Sequence, residues 1–449
     1  MRLPRLITAL AAAAALMLSM AAGIAMAAPV GEASSARLLV DFRPATTVAD
    51  QQAVERASGT RFVEYLDEQT EVLTVTAPQT VPAALSVLRA QPSVERALPD
   101  YHVHQSDFVP NDPGYGGTGG WQRVQWNFTG PWGVDAPAAW DIARHSGAPG
   151  GRGAVVAVID SGVAFENRGR FRRDPDLWAG GFVSPYDFLR HNHHPDDADG
   201  HGTFVTSTID EKTNNGLDLT GLAYDVRIMP LRVLDANGNG DGSSIAEAIR
   251  YAVRHHANVI NLSVEFDSDV RAADIPDVIS AINYATRNGV VLVAAAGNEG
   301  ADRVSYPARD PNVIAVGAST ADGCAADYSN WGSGLALVAP GGGQDAALGG
   351  DPSDAANCHP NRPGRKVFQE TFTRNPGHFQ IVGFEGTSFA TPHVSAAAAL
   401  LIASHRLGDH PSPADIRNRL MATARDLGPG GYDEHYGAGL LDVAAALGP

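Results

Sequence analysis

The chain has 449 residues, of which 44% are hydrophobic, so it is long enough to form more than one folded domain. Acidic side chains outnumber basic ones by 50 to 33, which gives a formal net charge of −17. Because such a surface repels phosphate backbones, we expect no nucleic-acid partner, and the charge suits a protein that is soluble outside the cell.

The N-terminus has the pattern of a secretory signal. Arg2 and Arg5 precede an apolar stretch, residues 6–25, and small residues follow it. We expect residues 1–28 to be a signal peptide that is cut after Ala27 or Ala28, although an uncleaved membrane anchor would show the same apolar stretch. The longest later apolar run has eight residues, which is too few to span a bilayer. The pattern therefore predicts a secreted protein with no membrane anchor after signal removal.

Residues 29–108 form a separate part, with predicted elements in the order strand, helix, strand, strand, helix, strand. The strands are residues 37–42, 60–66, 71–76 and 94–103, and the helices are residues 48–57 and 81–90. Two βαβ-like halves of this size predict a small ferredoxin-like α+β module. Residues 105–120 are rich in Gly, Pro, Asn and Asp, which is typical of an exposed linker where proteolysis concentrates.

Apolar runs alternate with helical patterns over residues 109–449. Runs whose apolar character is continuous rather than alternating predict strands covered on both faces, and they are residues 153–159, 226–233, 259–263, 290–295 and 313–316. The helical patterns are residues 202–210, 243–256, 274–288 and 387–404. The sequence thus predicts an α/β domain whose parallel β-sheet is flanked by helices on both faces. Ligands of such sheets bind at the carboxyl ends of the strands, which is where four motifs lie.

Two motifs carry a carboxylate and an imidazole. The apolar run VAVID ends on Asp160, and a buried carboxylate at a strand end is costly unless it accepts hydrogen bonds or pairs with a cation. Asp160 could also simply cap the next segment. In DGHGTFV, His201 lies between glycines at the start of a helix, where other groups and a substrate can reach its ring. A lone histidine is nevertheless more often structural.

Two further motifs carry a hydroxyl and an amide. In GTSFATPHV, Ser388 opens a long alanine-rich helix. It could be a plain N-cap, but a helix N-terminus also favours negative charge on a nearby substrate oxygen. The run VLVAA leads into a turn at Asn298, whose amide is a donor at the same edge of the sheet. An aspartate, a histidine and a serine are what nucleophilic acyl transfer requires, and an asparagine supplies an oxyanion donor.

The four motifs, with the chain order Asp, His, Ser, resemble the subtilisin-like serine proteases, the subtilase family. The similarity covers residues 110–447, and the part before it resembles the family's inhibitory propeptide. The resemblance implies a secreted serine endopeptidase with Ser388 as nucleophile and His201 as general base and then general acid. Asp160 would orient the imidazole, and Asn298 would bind the oxyanion.

The resemblance also implies the partners of the chain. We expect protein or peptide substrates, no cofactor for the chemistry, and inhibition by the chain's own propeptide, whose removal matures the enzyme. No coiled-coil or interface motif argues against a monomer.

A substrate cleft is implied in the same way. The segment VINLSV, residues 259–264, is similar to the family strand that pairs with an extended substrate. Substrate contacts are therefore expected from Ser263, Val264, Glu265, Gly297 and Glu299. Glu265 and the phenylalanine after it replace a Gly-Gly pair of the family, which puts the usual preference for large apolar residues in doubt. Two carboxylates, Glu265 and Glu299, facing one pocket would attract a cation; alternatively, Glu265 points to solvent.

The segments DPDL and TNNGLDL resemble two segments that bind a structural calcium in the family. The ligands would be the side chains of Asp176 and Asn215 and the carbonyls of Thr213, Leu217 and Leu219, which are the oxygen donors that Ca²⁺ prefers. From the residues alone, the presence and the absence of a calcium site here are equally open. Two other tracts are interpreted without a metal: DANGNGDG as a flexible rim of the cleft, and HNHH as an exposed polar insertion.

Cys324 and Cys358 are the two cysteines of the chain. An even count in an oxidising compartment predicts one disulfide, with two free thiols as the alternative.

Two other classes of protein fit less well. A catalytically silent, secreted binding protein on the same scaffold would lack a catalytic residue, and none is missing. A non-peptidase acyl hydrolase would normally carry the Gly-x-Ser-x-Gly elbow, which the sequence around Ser388 does not contain.

Overall fold

The computed structural model describes residues 33–67, 69–101, 108–116, 120–348 and 357–448. The predicted signal peptide, residues 1–28, lies outside the described residues. The chain divides into two compact units, Met1–Ser106 and Asp107–Pro449. In the described part, no helix combines the length and the apolar character needed to cross a membrane.

The first unit contains a four-stranded antiparallel sheet with the strand order β2-β3-β1-β4. Its elements are β1 (Ala33–Phe42), α1 (Val48–Ser58), β2 (Thr60–Tyr65), β3 (Thr70–Val75), α2 (Val81–Arg89) and β4 (Val94–Tyr101). Alternate residues of β1, such as Leu38 and Val40, are fully buried and join Leu88 of α2 in one core. This order of elements is the ferredoxin-like arrangement that the sequence predicted.

The second unit is built on a seven-stranded sheet in which every strand pairs parallel to its neighbours. In spatial order the strands are β11 (Leu337–Pro340), β10 (Val313–Ser319), β9 (Val291–Ala295), β8 (Val259–Leu262), β5 (Val155–Asp160), β7 (Arg227–Arg232) and β6 (Tyr186–Asp187). A separate antiparallel hairpin consists of β12 (Val367–Thr371) and β13 (Gln380–Phe384). The predicted parallel sheet is confirmed.

Helices cover this sheet on both faces. They are α3 (Trp121–Val124), α4 (Ala136–His145), α5 (His201–Asp210), α6 (Gly242–Arg254), α7 (Pro276–Arg287), α8 (Thr387–Ala403), α9 (Pro413–Ala422) and α10 (Val443–Leu447). Short 3₁₀ turns lie at Pro149–Gly151, Ala179–Gly181 and Ala272–Asp274.

The sheet residues alternate between two cores. Val156 and Val158 of β5 face the core that contains α8, whereas Ala157 and Ile159 face the core built with α6 and α7. Helix α8 is buried over nearly its whole length, as expected for a helix that is apolar all round. It contacts β8, β9 and β10, so its first residues are held rigidly at the carboxyl edge of the sheet.

The segment predicted as an exposed linker differs from that expectation over residues 108–116. It has no helix or strand, but Asp112 is fully buried and accepts the backbone N–H groups of Asn214 and Asn215 at 2.8 and 3.0 Å. The Trp121 indole donates to the carbonyl of Pro110 at 3.0 Å. Composition predicted the irregular backbone correctly, but these tertiary contacts tie the segment to the second unit.

Cys324 and Cys358 are joined by a disulfide in the structure.

Candidate active site

The site lies at the topological switch point of the parallel sheet, where the order of the strands reverses. Strand β5 is flanked by β7 on one side and by β8 on the other, and in such a sheet the crevice outside the strand ends is a ligand site. Asp160 is the last residue of β5, Ser263 follows β8, and Asn298 follows β9 within three residues. Three of the sequence-predicted residues therefore meet at one edge because their strands are parallel.

Asp160 and His201 form a direct hydrogen bond. Asp160 is fully buried, and its Oδ1 lies 2.7 Å from Nδ1 of His201 and accepts the N–H of Ser161 at 2.7 Å. Its Oδ2 is buried with no partner among the described residues. Since an ionised carboxylate only accepts, the imidazole donates from Nδ1, which leaves Nε2 free to accept a proton.

A glycine lets helix α5 come this close to β5. A Cβ on Gly202 would lie 2.1 Å from the carbonyl oxygen of Gly162 and 3.1 Å from Oδ1 of Asp160. Any side chain at this position would push the helix start, and with it His201, away from the carboxylate.

The pKa of His201 is changed by burial and by nearby carboxylates. Burial is the largest single influence and lowers its pKa, but the charge and hydrogen bond of Asp160 and the charges of Asp199 and Asp197 raise the pKa to about 9. The side chain is about one quarter exposed, at 25%. A buried carboxylate thus stabilises the imidazolium at the mouth of the site.

Ser388 is the second residue of α8 and is held against the strand end after β8. Its Oγ donates to the carbonyl of Ser263 at 3.3 Å, and the hydroxyl of Ser263 donates to the carbonyl of Ser388 at 2.7 Å. Ser388 and His201 line the same cavity of about 360 Å³. The structure brings the hydroxyl and the imidazole to one cavity, with the hydroxyl bonded to a backbone carbonyl.

The orientation of the Asn298 amide is fixed by Thr387. Oδ1 of Asn298 accepts the backbone N–H of Thr387 at 2.8 Å and its hydroxyl at 3.1 Å. The Nδ2 group therefore points the other way and donates to Oε1 of Glu265 at 3.2 Å. Sequence reasoning missed Thr387, although its place directly before Ser388 in the GTS run was a signal.

The remaining predicted substrate residues lie around the same cleft. Val264 is buried and Glu265 lines the cavity, as do Gly238, Asn239 and Gly240 from the loop predicted as a cleft rim. Glu299 is exposed, and its N–H donates to Oδ1 of Asn330 at 3.0 Å. Gly297 has a φ of 118°, and a Cβ there would lie 2.1 Å from Nδ2 of Asn330, so this turn requires glycine.

Aromatic side chains support the back of the site. Phe389 lies 5.2 Å from the His201 ring and 4.6 Å from the ring of the fully buried Phe204, measured between centroids. This packing restricts the imidazole to the side that faces Asp160.

A second cluster, of buried acidic groups, surrounds the predicted calcium residue Asp176. Carboxylate oxygens of Asp176, Glu211 and Glu370 lie within 4.8 Å of one another, and these three side chains are 0 to 2% exposed. Burial, followed by the charges of neighbouring carboxylates, raises the pKa of Glu211 and Glu370, that of Glu370 to about 10. Sequence reasoning missed Glu211 and Glu370 because they are far from Asp176 in the chain.

The other predicted calcium ligands are only partly brought to this cluster. The amide nitrogen of Asn215 donates to Oδ1 of Asp176 at 2.5 Å. Thr213 and Leu219 are buried, whereas Leu217 is 44% exposed. Asn215 thus presents its nitrogen to Asp176, with its Oδ1 accepting the N–H of Leu217 at 2.9 Å.

Comparisons with known proteins identify the family of this chain. The subtilase family profile matches residues 151–439. The chain is 32% identical over 400 residues to the thermophilic serine proteinase of Bacillus sp. (strain AK1), covering 89% of this chain and 84% of that protein. It is 35% identical over 319 residues to subtilisin Savinase of Lederbergia lenta, covering 70% and 98%.

A solved structure is similar as well. A protease from Pseudoalteromonas arctica PAMC 21717 matches with a TM-score of 0.59 and 28% sequence identity, over 76% of this chain and 99% of that one. By family profile, sequence and fold, the chain belongs to the subtilase family and is a serine-type endopeptidase.

Proposed function

We propose that the chain is a secreted endopeptidase in which Asp160, His201 and Ser388 cut peptide bonds through an acyl-enzyme, with Asn298 as oxyanion donor. The observation that carries this proposal is the 2.7 Å hydrogen bond from His201 to the buried Asp160, at the rim of a cavity that Ser388 also lines. This bond selects the imidazole tautomer that can accept a proton at Nε2.

The proposed reaction begins at the serine hydroxyl. Ser388 Oγ exchanges its bond to the Ser263 carbonyl for Nε2 of His201, gives up its proton there and attacks the substrate carbonyl carbon. The oxygen that gains negative charge is bound by Nδ2 of Asn298 and the backbone N–H of Ser388. His201 then passes the proton to the leaving amine, and a water molecule repeats the sequence to release the acid. Asp160 stays ionised throughout.

Substrate is proposed to bind as an extended strand along residues 263–265, which continue β8. Main-chain pairing of this kind gives affinity without requiring a particular sequence. Ser263, Val264 and Glu265 would form one wall of the cleft, and Gly297 and Glu299 the other.

Maturation is proposed to be self-catalysed. Residues 29–108 would assist the folding of the parallel sheet, whose contacts are distant in sequence, and then inhibit by occupying the cleft. The signal peptide, residues 1–28, would direct export, and the mature domain, residues 109–449, would act as a soluble monomer. Expressed alone, a Ser388→Ala variant is then expected to accumulate as the precursor; normal processing of this variant would contradict self-cleavage.

A structural Ca²⁺ fits the buried acidic cluster. Oδ2 of Asp176, both carboxylate oxygens of Glu211 and Oε2 of Glu370 are buried without hydrogen-bond partners among the described residues, and buried carboxylates need a cation or protons. Asp176, Glu211 and Glu370 would hold the ion, with Asn215 joining through its amide oxygen if that amide turns over. The ion would neutralise charge and stabilise the fold, and it would take no part in catalysis.

The proposal is tested with casein and Ser388→Ala. This change should abolish hydrolysis, because the hydroxyl is the nucleophile, while circular dichroism and melting temperature stay close to wild type. Ser404→Ala, at the opposite end of the same helix, is the matched control and should keep wild-type activity. Retained hydrolysis in Ser388→Ala would refute the assignment, and an inactive wild-type protein would favour a silent binding protein.

A further inference from the structure

Glu265 is hydrogen-bonded to Asn298, the proposed oxyanion donor. Its Oε1 accepts the side-chain amide of Asn298 at 3.2 Å. A Cβ on Gly297 would lie 2.8 Å from Oε2. The residue as a whole is exposed in the cleft, but its carboxylate end turns onto the Gly297-Asn298 turn.

This contact opposes catalysis while the carboxylate is charged. One of the two N–H groups of Nδ2 is already donated to Glu265, so an oxyanion bound by the other N–H would lie beside this carboxylate, and the two negative charges would repel each other. The charged groups that act on Glu265 from its own segment and from the opposite rim, Asp267 and Glu299, are also acidic. A substrate with a neutral side chain would leave this repulsion in place.

A cationic side chain on the substrate that reaches the Glu265 carboxylate would remove this repulsion. The residue whose carbonyl is attacked places that oxygen against Nδ2 of Asn298, so Glu265 lies roughly 6 Å away, two hydrogen-bond lengths. A lysine or arginine side chain on the same residue can extend over this distance to the carboxylate.

We propose that Glu265 makes turnover depend on a basic side chain at the residue whose carbonyl is attacked. The cation pairs with the Glu265 carboxylate and draws it from Asn298, whose amide then binds the oxyanion without a second negative charge beside it. The inference rests on the proposed function and adds its substrate class. Because the donor is needed in the transition state, the effect falls on kcat more than on KM.

The test compares two peptides that differ only at this residue, one with lysine and one with norleucine, which has a similar apolar stem but no charge. For the wild-type enzyme, kcat for lysine should exceed kcat for norleucine by about fivefold, as expected for a partly exposed ion pair. In Glu265→Gln the ratio should fall to about one, with norleucine hydrolysed faster than by wild type, because the amide holds Asn298 without a charge.

Asp267→Asn is the matched control, since it removes the same charge from a neighbouring exposed residue that does not contact Asn298. It should leave the lysine-to-norleucine ratio close to wild type. The inference is overturned if wild type prefers norleucine, or if Glu265→Gln leaves the ratio unchanged. A failure of the proposed function would look different, because neither peptide would be cleaved and no fluorophosphonate would label Ser388; this outcome overturns both.

Discussion

Replacing Asp160 with asparagine should change both the pH dependence and the rate of hydrolysis. Asp160 accepts from His201 at 2.7 Å and helps to raise the pKa of that imidazole to about 9. Two unit charges about 4 Å apart near a protein surface interact by about 4 kcal/mol, and one pKa unit corresponds to about 1.4 kcal/mol. Loss of the charge should therefore lower the pKa of His201 by about three units.

The rate should fall at the same time. An asparagine can donate to Nδ1, which favours the tautomer with the proton on Nε2, and that tautomer cannot accept the serine proton. We expect the plateau of kcat/KM to drop by about 10⁴-fold.

The assay is kcat/KM for a short peptide ester or amide between pH 5 and pH 11. His201 must be neutral to act as base, so kcat/KM of the wild-type enzyme should rise with pH through about 9. In Asp160→Asn, the same rise in kcat/KM should occur about three pH units lower. Asp199→Asn removes a nearby charge without touching the ring, so its limb should shift less. The proposed role of Asp160 is wrong if Asp160→Asn keeps the wild-type pH dependence or retains activity within tenfold of wild type.

Four further results are expected. Asn298→Ala should lower kcat by about 10²- to 10³-fold, the loss known for the oxyanion-hole asparagine of subtilisin itself; an unchanged kcat would remove Asn298 from the mechanism. EGTA should lower the melting temperature, because an ion bound only by the native state stabilises it, whereas an unchanged value would argue against calcium. Replacing both Cys324 and Cys358 by serine should reduce the free energy of unfolding by about 3–4 kcal/mol, since the bridge spans a sequence separation of 34; urea titration measures this. Burial lowers the pKa of His393 to about 4, so the unfolded chain takes up this proton first. The contribution of the neutral, buried His393 to stability is present above about pH 6.5 and is lost as pH falls towards 4. Urea titrations should find a smaller loss of stability over this pH range in His393→Gln.

The central strands could be predicted because their apolar residues are continuous rather than alternating. Strands buried on both faces leave this pattern in the sequence, as residues 291–295 illustrate. Strand β6 has two residues, which is too short for a recognisable pattern. The hairpin of β12 and β13 was also missed, because its pairing partners are separated by a loop and not by a tight turn.

The candidate site was predictable where its residues lie in local motifs at strand and helix ends. Contacts between segments that are distant in the sequence were not predictable. The approach of Glu265 to Asn298 depends on the register of β8 against β9, and the meeting of Glu211 with Glu370 depends on the hairpin folding beside α5. Neither contact can be recognised from residue spacing or composition, because each results from the packing of complete secondary-structure elements.

The proposed mechanism depends above all on Ser388 as the nucleophile. Wild-type protein should be treated with a fluorophosphonate, digested, and analysed by mass spectrometry alongside Asp160→Asn. We predict one adduct, on the peptide containing Ser388, formed far more slowly in the variant because its histidine cannot take the serine proton. An adduct on another residue, or full loss of peptidase activity with Ser388 unmodified, would contradict the claim.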